Sequence, residues 1–103
     1  MTAADRPRDR LGRPLGPDAT SDAVPGIDPT TITSDETAWS SALRYLEDGL
    51  PFHAHEVFEE RWRHCPGDQR EAWRALAQWA AALTHAARGN AIGARSLAQR
   101  AEE

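Results

Sequence analysis

Eight alanines fall between positions 72 and 87, among Trp73, Leu76, Trp79 and Leu83 and with no proline or glycine. Alanine enters a helix at the lowest intrinsic cost, and nothing here alternates as a half-buried strand would. The stretch predicts a helix that is apolar around most of its circumference. Such a helix belongs at the centre of a bundle or against a second subunit. Its small side chains let neighbouring helices approach closely, and its tryptophans suit core and interface packing.

The flanking sequence divides into further helices. Thr33-Ser34-Asp35-Glu36 has the form of a capping box, with Thr33 at the N-cap and Glu36 three residues on. Trp39, Ala42, Leu43 and Leu46 then recur at helical spacing, and Gly49 supplies a stop. Pro51 suits the first turn of a second helix that runs to about His64, where Cys65-Pro66-Gly67 breaks it. Asp68 is placed to cap the alanine-rich helix, which runs to about Arg88 and stops at Gly89. Asn90 then opens a fourth helix through Ile92, Leu97, Ala98 and Ala101. The expected fold class is all-α, a compact bundle of about four helices spanning residues 33–103.

Residues 1–32 read as a separate, extended arm. They hold five of the seven prolines and no aromatic residue. Such a segment buries too little surface to offset the entropy of ordering, so a disordered or loosely docked tail is expected. Leu11, Leu15, Val24 and Ile27 are its anchors if it docks. Its arginines at 6, 8, 10 and 13 are opposed by Asp5 and Asp9, which leaves it weakly basic.

A net charge of −4 argues against a dedicated nucleic-acid binder. The single cysteine, Cys65, excludes an internal disulfide and suits a reducing cytoplasm. No apolar run approaches the roughly 18–20 residues of a membrane span, and the first residues lack the apolar core of a signal peptide. A cytoplasmic protein without membrane or nucleic-acid partners is expected. A folded part this small makes a modest core, so a homodimer is expected as well.

The chemistry concentrates in Phe52-His-Ala-His-Glu-Val-Phe-Glu-Glu-Arg-Trp62. On a helical wheel Phe52, Phe58 and Trp62 define an apolar arc. His55 falls inside that arc with Glu59 beside it, at the i,i+4 spacing that stacks two side chains. Glu56 lies at the edge, while His53, Glu60 and Arg63 fall on a solvated face. In the third helix Gln78 and His85 are seven residues apart and share one side. If the two faces meet, His55, Glu59 and His85 form a ligand set that zinc, iron or manganese accepts. Glu56 would then be the general base for a metal-bound water, and Gln78 would orient water or substrate. The same residues also make sense as a satisfied polar network inside a bundle. Cys65 beside His64 reads as part of an exposed turn rather than as a nucleophile pair.

At these residues the chain resembles the domain of unknown function 309 family. The resemblance rests on Phe52, Ala54, His55, Glu56, Glu59 and Trp62, then on Gln78, His85, Gly89-Asn90 and Gly93-Ala94. It covers roughly residues 36–101. Gly12-Arg13-Pro14-Leu15 is also similar to a leader that some members carry. The resemblance implies a compact all-helical fold, and the label sometimes attached to the family is metal-dependent hydrolase. His53 departs from the pattern, which usually has an acidic residue there.

Three functions follow. One is a metal-binding domain, hydrolytic in the fullest version. Another is a non-enzymatic helical interaction module whose polar cluster fixes helix register. The third is a site for a small organic ligand, using the same cluster with Trp62 and Trp79.

Overall fold

A computed structural model describes residues 8–14 and 23–102, with side chains described as far as Asn90. It is helical, with α1 at Asp35–Glu47, α2 at Pro51–His64 and α3 at Arg70–Glu102. Short 3-10 turns at Pro29–Thr31 and Gly67–Gln69 precede α1 and α3.

The punctuation before α2 works as the residues suggest. Gly49 adopts φ +73°, the left-handed backbone that ends α1, and Pro51 opens α2. The cap of α1 lies one residue further on than expected. Ser34 is the N-cap and Thr37 completes the box, each hydroxyl accepting from the other's backbone N–H at 3.2 and 2.9 Å. Glu36 is exposed and takes no part. Asp68 likewise lies within the 3-10 turn instead of capping α3.

The larger correction is the number of helices. The described part has three, because α3 runs through Gly89 and Asn90 for 33 residues without a break. A glycine stop requires a positive φ, and among the described residues only Gly12 and Gly49 have one. Glycine inside a helix costs about 1 kcal/mol relative to alanine, which the alanine-rich flanks outweigh. A Cβ built at Gly89 would meet no atom within 4 Å. Gly89→Ala is therefore expected to stabilise the chain by about 0.5–1 kcal/mol, raising Tm by a few degrees. Thermal melting checks this, and a lowered Tm would mean that α3 bends there.

Helix α2 is central, packing on both α1 and α3. Its Ala54, Val57 and Phe58 are fully buried. Ala38 and Ala42 meet them from α1, and Trp73, Ala77 and Ala80 from α3, with Ile32 completing the core. Thr84 is buried too, its hydroxyl satisfied by donating to the Ala80 carbonyl at 2.9 Å. Between α1 and α2, Arg61 Nε donates to Asp35 at 2.8 Å. The alanine-rich α3 is thus not the centre. Its core face is buried, while Ala72, Ala75, Ala82 and Ala86 are exposed and Trp79 is half-exposed.

The described parts of the arm are held on the helices. Arg88 donates from Nε and Nη2 to the Leu11 carbonyl at 3.0 and 2.7 Å, and Arg10 donates to the Asp48 carbonyl at 2.8 Å. Val24 and Ile27 are half-buried, as is Leu11, whereas Leu15 lies outside the described residues.

Candidate functional site

His55, Glu59 and Arg63 occupy one flank of α2 rather than its inward face. Ala54, Val57 and Phe58 mark the direction of closest approach, and Phe52 and Trp62 are only half-buried. The arc drawn through the bulky aromatics is therefore rotated away from the true core. Close helix packing selects small residues at the contact line and leaves large rings to cover its edges.

On that flank His55 Nε2 lies 3.2 Å from Glu59 Oε2, and Arg63 Nη2 donates to Glu59 Oε1 at 3.2 Å. The three form a ladder at successive i,i+4 positions. Burial holds the His55 imidazole below its ordinary range, against the pull of the Glu59 carboxylate. The ring lies 5.8 Å from that of Phe52, and its Nδ1 has no hydrogen-bond partner among the described residues. Burial pushes the Glu56 carboxyl above its ordinary range, although the nearby Arg8 cation works the other way.

The other half of the predicted cluster is elsewhere. Gln78 and His85 are exposed on α3. Each follows a buried residue, Ala77 and Thr84, by one position, which turns it about 100° from the core line. They share a side of α3, as their spacing requires, but that side does not face α2. This placement lends the expected convergence of His55, Glu59, Gln78 and His85 no support. Among the described residues no group of three or more His, Cys, Asp or Glu is arranged to hold a metal ion. Trp62 packs against the core with the Arg70 guanidinium 5.9 Å from its ring centre.

A family model described as domain of unknown function (DUF309) matches residues 39–97, more than half of the chain. The protein belongs to the DUF309 family. Comparison with curated proteins and with solved structures returned no match. The matched DUF309 region begins within α1 and ends within α3, so it contains the whole polar ladder. Among the described residues of this DUF309 protein, no helix is long and apolar enough to cross a membrane.

The residue that sequence reasoning misplaced most is His53. The helical wheel puts it on a solvated face, yet it is 1 % exposed. The Tyr45 ring of α1 lies 5.3 Å from it and Phe52 packs edge-on at 6.0 Å. Burial holds its imidazole below the ordinary range, while the Pro25 and Val24 carbonyls and the Asp9 carboxylate beside it favour the charged form. No wheel of α2 could show this, because the arm and α1 do the burying. The spacing of His53 to Val57 was the only available hint. Cys65 is half-buried, its Sγ 3.6 Å from the Trp62 carbonyl. Outside the matched residues, Arg8 and Gly12 of the arm pack on Phe52 of α2, and Arg88 holds the Leu11 carbonyl.

Proposed function

We propose that the domain is a non-enzymatic helical interaction module, that the His55–Glu59–Arg63 ladder is part of its scaffold, and that it works as a homodimer. The observation that carries this reading is the outward placement of Gln78 and His85. It leaves His55, Glu59 and Arg63 to pair with one another within α2, which favours a scaffold role over a ligand set of His55, Glu59 and His85 with Glu56 as general base. The dimer finds its support in apolar surface. Trp39 is 47 % exposed, Leu43 38 % and Trp79 49 %. Large aromatic rings half in water are what interface cores are enriched in.

Sedimentation and metal analysis of the same preparation test the proposal. A dimer at micromolar concentration is expected, with Trp79→Glu shifting it to monomer while the helical circular dichroism is retained. Substoichiometric zinc, iron and manganese are expected after purification without chelator. A wild-type monomer would sink the dimer, and stoichiometric metal lost on His55→Ala would restore the metal-binding function.

A further inference from the structure

We propose that the surface of α2 and α3 beneath residues 8–14 is a peptide-binding groove, suited to a tightly turned arginine- and glycine-bearing segment of a partner protein, and that the arm, folded back so that Arg8 bridges to Pro14, occupies it in cis. The proposal rests on the interaction-module reading but uses residues other than the exposed tryptophans.

The contacts are those of peptide recognition rather than of a packed core. Two guanidinium nitrogens of Arg88 grip one main-chain carbonyl, that of Leu11. A backbone handle of this kind accepts many sequences. Gly12 has φ +78° and lies flat against the Phe52 ring, so that a Cβ built there would fall inside the ring. That position admits glycine alone, on grounds of both backbone and space. The Arg8 guanidinium sits over the same ring, 5.2 Å from its centre. Arg10 reaches the Asp48 carbonyl just past α1, where the helix dipole favours a cation. The segment braces itself for this shape, with Arg8 donating to the Gly12 carbonyl at 2.6 Å and Asp9 paired to Arg13 at 2.8 Å.

The arm leaves part of the groove unsatisfied. Glu56 is half-buried and has no hydrogen bond or ion pair among the described residues. Arg8 passes near it but spends its hydrogen bond on Gly12. The buried Nδ1 atoms of His53 and His55 also lack partners among the described residues. Buried nitrogens without partners cost stability, and a half-buried carboxylate is stabilised by a cation set beside it. A segment that sets an arginine on Glu56 would satisfy what the arm does not. That difference is what lets a partner displace a tethered occupant.

The test uses the full chain carrying Gly12→Val, which forces the arm off Phe52. The probe is a fluorescein-labelled peptide of residues 6–14, Arg-Pro-Arg-Asp-Arg-Leu-Gly-Arg-Pro, followed by anisotropy. The variant is expected to bind it at least about tenfold more tightly than the wild type, whose own arm competes at an effective concentration of order millimolar. Adding Arg88→Ala should weaken binding, and a probe carrying valine in place of its glycine should not bind. The double variant Arg8→Ala, Arg10→Ala frees the arm without touching the helices and should behave likewise. Folded variants that fail to bind the peptide, or bind it no better than wild type, would overturn the proposal. A dimer that does not bind the peptide leaves the module reading standing alone, and a monomer that binds it leaves the groove.

Discussion

Phe58→Ala is expected to leave the chain largely unfolded at 25 °C. Phe58 has no exposed surface and lies between Trp39 and Trp73, with ring centres 6.3 and 6.1 Å away. Of the nine buried apolar residues around it, itself included, five are alanines, which have no atoms to swing into a vacancy. The cavity would therefore persist, and a truncated core phenylalanine costs about 3–5 kcal/mol. A folded part of this size seldom has more than ~3–5 kcal/mol in total. Circular dichroism during heating checks the result. A cooperative transition within a few degrees of the wild type would show that the core closes over the gap.

Acidification should destabilise the domain through His53, and His53→Leu should remove most of that effect. The folded protein holds this imidazole below its ordinary value of 6.5, chiefly by burial. The unfolded chain therefore binds the proton more readily, and stability falls as pH drops below 6.5 toward the folded value. The groups facing the ring are Tyr45 from α1, Phe52 beside it, the Pro25 and Val24 carbonyls and Asp9 from the arm. Only Asp9 carries a charge that could compensate, and it is already paired with Arg13. His55, also lowered by burial, acts in the same direction. Glu56 acts in the opposite one, because its carboxyl is raised in the folded state and its protonation favours the fold as pH falls. Urea unfolding between pH 7.5 and 5.5 measures the balance. An unchanged pH slope in His53→Leu would mean that the acid sensitivity resides elsewhere.

The helices themselves were legible because their signals are local. Periodicity, Gly49, Pro51 and the Cys65-Pro66-Gly67 break act within a few residues of the positions they control. Gly89-Asn90 misleads for the same reason. Its stop signal is local and weak, and the continuous helix depends on what lies on both sides. The polar site was legible as an inventory and not as a geometry. His55 and Glu59 meet, since i,i+4 spacing guarantees it within one helix. Whether Gln78 and His85 join them depends on the rotation of α3 about its axis, which is set by the row from Trp73 through Ala77 and Ala80 to Thr84.

By itself, then, the sequence determined an all-helical domain, the extents of α1 and α2, and the His55–Glu59 contact. Each follows from neighbours along the chain. Tertiary structure alone decided that α2 is the middle helix, that His53 is buried, that Gln78 and His85 face water, and that Arg88 holds Leu11 from 77 positions away. The physical reason is one of range. Backbone hydrogen bonding and capping are satisfied within a turn or two, whereas burial is a property of surfaces that meet only after the helices have chosen how to pack.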